Sequence, residues 1–201
     1  MQKILVVAAA LVLAASSVAS AQQASRIRGQ IEKIEGGAMT LKSRDGTMMN
    51  VKLADDARVS ALVKATLADI KDDTFIGVAG VDRPDGSIDA YSIHIFLPAQ
   101  RGVVADRYGP WDGRANASMT NGYVAGAVAG GANGQTLTVK YKEGEKKINV
   151  TPQTSIAAVA PGNKDELKAG TQIIIMQSDK AADGSVTAKN LYVGRDLTPA
   201  M

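Results

Sequence analysis

From residue 27 onward, apolar and polar side chains alternate along the chain. Ile27 and Ile31 fall on one side with Gly29 between them, while Arg28, Gln30 and Glu32 fall on the other. A period of two is the signature of a half-buried strand. Thr40–Ser43 and Met48–Leu53 read the same way and flank Arg44-Asp45-Gly46-Thr47, a hairpin turn in which glycine supplies the positive φ. The spacing at Leu67, Ile70 and their neighbours predicts one or two helical turns. Two further strands are predicted over 74–81 and 87–96, joined by the turn Arg83-Pro84-Asp85-Gly86.

The pattern then repeats. Ile27-Arg28-Gly29-Gln30-Ile31 is answered by Val124-Ala125-Gly126-Ala127-Val128, and Met39-Thr40-Leu41-Lys42 by Leu137-Thr138-Val139-Lys140. Val51-Lys52-Leu53 corresponds to Ile148-Asn149-Val150, and Val59 to Ile156. Asp85-Gly86-Ser87-Ile88 corresponds to Asp183-Gly184-Ser185-Val186, and Ile93-His94-Ile95 to Leu191-Tyr192-Val193. Self-similarity sustained in this way marks two copies of one structural unit. Three strands, a short helix and two strands is the connectivity of the OB-fold, a small five-stranded barrel. The expected fold class is all-β: two tandem OB-like five-stranded barrels, each with a short helix. A single eight-stranded barrel pooling both copies is the competing architecture.

The N-terminus adds a different element. Lys3 precedes an unbroken apolar run, Ile4 to Ala15, and Val18-Ala19-Ser20-Ala21 supplies an Ala-x-Ala step. That is the pattern of a secretory signal peptide cut after Ala21, and the run is shorter than the roughly 20 residues a membrane span needs. The expected organisation is signal peptide 1–21, first repeat 22–97, connecting segment 98–121 and second repeat 122–201, in a bacterial periplasmic or secreted protein with no transmembrane segment in its mature form. Losing Lys3 lowers the formal net charge from +3 to +2, and no run of five like charges exists. Nucleic acid is therefore not an expected partner. The absence of cysteine removes disulfides, thiolate metal sites and a cysteine nucleophile together.

Few residues could carry chemistry. His94 is the only histidine. Alternation places it on the outer face of its strand, opposite inward Ile93 and Ile95, and it reads as a surface histidine. Its equivalent is Tyr192, which argues against a Ser-His-Asp triad. Asp55-Asp56 and Asp72-Asp73 are adjacent pairs that diverge, and their equivalents are Pro152-Gln153 and Ala169-Gly170. General acid/base pairs need converging carboxyls. No catalytic residue, cofactor or enzyme activity is expected. The connecting segment contains Tyr108 and the only tryptophan, Trp111, the two candidate ligand-facing residues; packing of Trp111 across the seam between barrels is the simpler role. A soft-metal site is the alternative, because thioether and imidazole suit Cu(I), with Met48, Met49 and His94 as its ligands. Against it, Met48 and Met49 point to opposite faces of their strand.

The repeat together with Trp111-Asp112, Met119-Thr120-Asn121-Gly122 and Leu137-Thr138-Val139-Lys140-Tyr141 resembles a group of small exported proteobacterial proteins with repeated OB-like domains, whose members sometimes carry the name metal transporter permease. The resemblance implies this fold and export and brings no catalytic residues with it. The expectation is a periplasmic, non-enzymatic binding or protein-interaction module, with a protein or small-molecule partner in the cell envelope. The alternative is a periplasmic copper-binding protein using Met and His side chains.

Overall fold

A computed structural model of the chain describes residues 26–130, 134–197 and 199, so the predicted signal peptide lies outside the described residues. The strands are β1 (Ile27–Glu35), β2 (Ala38–Ser43), β3 (Met48–Lys64), β4 (Phe75–Asp82), β5 (Ile88–Ile95) and β6 (Arg107–Trp111). The second half supplies β7 (Ala117–Gly130), β8 (Gly134–Tyr141), β9 (Gly144–Val150), β10 (Ser155–Pro161), β11 (Gln172–Lys180) and β12 (Val186–Gly194). The protein is all-β. The helical turns expected after the third strand of each repeat are single 3₁₀ turns, Leu67–Asp69 and Lys164–Glu166. Asp69 accepts from the Thr66 amide and hydroxyl at 2.8 Å, which caps the first turn at its start. No described helix is long and apolar enough to cross a membrane.

Local turn chemistry matches the residues that suggested it. Asp85 and Asp183 each accept from the amide two residues on, at 3.0 and 2.8 Å, in loops where Gly86 and Gly184 take φ of +81° and +84°. These aspartates shape hairpins.

Strand pairing does not follow the repeats. β1, β2 and β3 are joined into a closed five-membered ring by β12 and β11, in the order β1-β2-β3-β12-β11 and back to β1. β7, β8 and β9 are joined in the same order by β5 and β4, with β5 meeting β9 in parallel at Ile88–Ile148 and Asp89–Asn149. Each ring thus takes three strands from one repeat and two from the other. The expectation of one barrel within 22–97 and another within 122–201 is corrected accordingly: those limits are boundaries of sequence, and each ring crosses both. A single eight-stranded barrel is not formed either.

The exchange has a visible cause in β3. Between Gly46 and Gly77 the chain has no glycine and no proline, so nothing folds it back after Leu53. β3 runs 17 residues, roughly 55 Å at about 3.3 Å per residue. It leaves the first ring and delivers β4 and β5 to the second. Its far end pairs antiparallel with β10, and Leu62 stands opposite Val159, the residue equivalent to it in the repeat. That pair marks an approximate two-fold axis between the rings, the register expected of an isologous contact.

Each ring has its own aliphatic interior. Ile31, Leu41, Val51, Ile173, Ile175 and Leu191 fill the first, and Ile76, Val78, Ile93, Leu137, Val139 and Ile148 the second. Burying each such side chain contributes about 1.5–3 kcal/mol. Two smaller clusters lie between the rings, one around Trp111, Tyr91, Met119 and Ile174, the other around Leu62, Val159 and Tyr192.

Candidate functional site

A cavity of about 220 Å³ lies between the outer faces of the two rings, roofed by the connecting segment. β5 brings His94 to it, and β12 brings Tyr192. The alternation rule placed His94 on the outer face of its strand, and there it is. It is nevertheless 1% exposed. The surface-histidine expectation is corrected, because the outer face of this ring is covered by the other ring and by residues 98–121. Gly77 stands beside His94 on one side and Asn121 on the other in the ladder, so their side chains share a face. A Cβ at Gly77 would come within 2.9 Å of Asn121 Oδ1 and of the Phe96 ring. Glycine there lets these groups converge.

The cavity wall is apolar at Phe96, Met119 and Met176 and carries several polar atoms with nothing to bond. His94 Nδ1, Asn121 Oδ1, Trp111 Nε1 and Arg26 Nε are all buried and have no hydrogen-bond partner among the described residues. Burial pulls the His94 pKa down from 6.5 to about 3, so the imidazole is neutral near pH 7. Tyr192 differs from its repeat equivalent in having a partner, Gln100 Nε2, which donates to its hydroxyl at 3.3 Å. The two rings meet nearly edge-on, 6.3 Å apart.

Arg26 and Arg107 line the same cavity, and among the described residues no carboxylate does. Arg26 stacks over Trp111 at 3.9 Å, a cation–π contact that fixes the indole under a guanidinium. Asp112 holds Arg28 at 2.7 Å and Arg26 at 3.4 Å. Burial draws the Arg26 pKa below its ordinary value, with Arg28 and Arg107 adding to that effect. An open groove of about 400 Å³ continues from Arg26 past Arg28 and Arg44.

The sequence candidates separate. Trp111 lines the cavity and packs with residues of both rings. Tyr108 does not; it is 36% exposed, donates to Asp82 at 2.9 Å and faces Lys146. The trio Met48, Met49 and His94 is not assembled. Met48 is 53% exposed, Met49 packs on the first ring's core, and His94 belongs to the second ring. The thioethers near His94 are those of Met119 and Met176. Among the described residues no group of three or more His, Cys, Asp or Glu side chains is placed to hold a metal ion. Asp55 and Asp56 lie mid-strand in β3, both exposed, and not at a loop end, and Asp73 pairs with Arg101 at 2.9 Å. Reasoning from the sequence missed Arg26, Arg107, Met119, Asn121 and Met176. The arginine-rich flanks of Trp111 were the available signal.

Comparisons with protein-family models, with curated proteins and with solved structures find no match to this chain.

Proposed function

We propose that the protein is a non-enzymatic binding module of the bacterial cell envelope, exported by the segment 1–21, in which two OB-like barrels that exchange strands hold a small molecule between them. The ring order, with its third and fifth strands parallel, supports the OB-like reading of each barrel. One observation carries the binding reading: a cavity whose wall holds four buried polar atoms without partners. Leaving such a group unpaired costs about 1–3 kcal/mol each, and a ligand offering donors and acceptors would recover much of that. Sites of this kind combine apolar walls with a few placed polar groups.

The test is native mass spectrometry of protein released from the periplasm, beside a Val104→Trp variant that fills the cavity from its roof. A small-molecule adduct on the wild type and none on the variant is the expected result. Identical adduct patterns on both proteins, or no adduct on either, would count against the reading.

A second reading, soft-metal binding, is favoured by one feature: Met119, Met176 and His94 line the same cavity. Stoichiometric Cu(I) binding lost in His94→Gln would support it. Two guanidiniums in the same wall oppose a cation there.

A further inference from the structure

We propose that the ligand of the inter-ring cavity is a small organic carboxylate, its anionic head held by Arg26 and Arg107 and its apolar body lying against Phe96, Met119 and Met176. This rests on the reading of that cavity as the binding site and adds the chemical class of what enters it.

Charge supports this class. Among the described residues the cavity wall carries two guanidiniums and no carboxylate. Asp112 sits outside the wall and is shared between Arg26 and Arg28. Arg107 makes no ion pair among the described residues. Further cations crowd the approach: Arg28 presses on Arg26, and Arg28 and Arg114 on Arg44. A wall of this sign repels a cation and leaves Arg107, which unlike Arg26 has no carboxylate beside it among the described residues, without compensation from a neutral guest. Guanidinium meets carboxylate in a planar, paired geometry that ammonium groups cannot copy.

Size and polarity supply the rest. An apolar cavity of about 150 Å³ admits benzene, so about 220 Å³ accommodates one ring and a carboxyl group. A long acyl chain would not fit. Beyond the arginines, Trp111 Nε1 and Asn121 Oδ1 add one donor and one acceptor, and the neutral imidazole of His94 adds an adaptable third group. These select a guest with a polar end and an otherwise greasy body.

The chain contains its own reporters, since its only tryptophan and its only histidine both line the cavity. The experiment titrates three probes of one shape, benzoate, benzamide and benzylammonium, into the full mature protein. Trp111 fluorescence and the ¹⁵N shifts of the His94 ring are the readouts. Benzoate is expected to bind at least about tenfold tighter than benzamide, the ratio a charge-assisted pair supplies, and benzylammonium weakest of the three. Arg107→Gln should bring benzoate down to the benzamide level while benzamide itself is unaffected, and Arg107→Lys should restore part of the preference.

Equal binding of benzoate and benzamide, or preference for benzylammonium, would overturn the carboxylate assignment and leave the cavity standing as a binding site. No response to any probe at millimolar concentration would overturn both. A preference for benzoate that survives in both Arg107→Gln and Arg26→Gln would show that the anion binds elsewhere, in the groove by Arg28 and Arg44, and would also overturn the assignment.

Discussion

His94 and Tyr192 occupy the same place in the two repeats and meet across the same cavity, yet their circumstances differ. The tyrosine hydroxyl has Gln100 as a partner, while the histidine Nδ1 has none. The scaffold that presents them is close to two-fold symmetric, as the opposition of Leu62 and Val159 indicates. The segment that covers them is not, because residues 98–121 exist once. Symmetry therefore fixes where the two side chains stand, and the unrepeated roof decides which of them is left with bonding capacity. A site at the junction of two equivalent units can acquire chemistry without disturbing either interior.

The comparison presupposes that the two halves depend on each other, and this gives the largest expected effect. Among the described residues, six of the eleven buried in the first ring's core come from the second repeat, and five of the ten in the second ring's core come from the first. Losing about half of a core exceeds the whole stability of a small domain, roughly 5–15 kcal/mol. Residues 22–106 and 107–201 expressed separately should show no cooperative thermal transition by circular dichroism, and mixing them should restore one. A folded single half would mean that each repeat can close its own barrel.

Gly77 tests how tightly the His94 side of the junction is built. The methyl group of Gly77→Ala would enter within 2.9 Å of Asn121 Oδ1 and Phe96. Overpacking of this kind costs about 1–3 kcal/mol. A loss of that size in urea denaturation, with Trp111 fluorescence altered, is expected; no change in either would mean that the cavity wall yields freely.

The histidine itself should make stability depend on pH. Its folded pKa, about 3, lies below the unfolded value near 6.5, so the unfolded chain binds the extra proton between those limits. Stability is then full above pH 6.5 and falls as the solution is acidified, as linkage requires. Between pH 6.5 and 5, above the range where most carboxylates titrate, the loss should be on the order of 1–2 kcal/mol. His94→Gln should flatten that slope, whereas Tyr192→Phe should leave it intact. An unchanged slope in His94→Gln would assign the acid sensitivity to other groups.

The sequence showed the strands but not their partners, for a physical reason. Alternation at Ile27–Ile31 and turn residues at 83–86 are local, and they read out as β1 and the β4–β5 hairpin. In a repeated chain, β3 finds chemically similar neighbours whether its companion is β5 or β12, since Ile93 and Leu191 offer nearly the same side chain. Composition cannot separate closure within a repeat from exchange between repeats. The deciding feature is that β3 continues past Leu53 without a turn, and its consequence is topological. The burial of His94 was hidden in the same way. Facing outward from a barrel means facing solvent only when nothing else packs there.

The smallest expected effect lies far from the junction and sharpens the contrast from the other side. Met48 was attractive as a soft-metal ligand beside Met49 and His94, yet it opens β3 and is 53% exposed. The position equivalent to it in the second repeat holds Glu145, also exposed, at the start of β9. A site that accepts thioether in one ring and carboxylate in the other is doing neither packing nor coordination. Met48→Glu should therefore shift stability by no more than about 0.5 kcal/mol, as surface changes do, and should leave any response of Trp111 to benzoate unaltered. If it instead abolished Cu(I) binding by the protein, the hairpin, and not the junction, would be the place where the two rings differ in function.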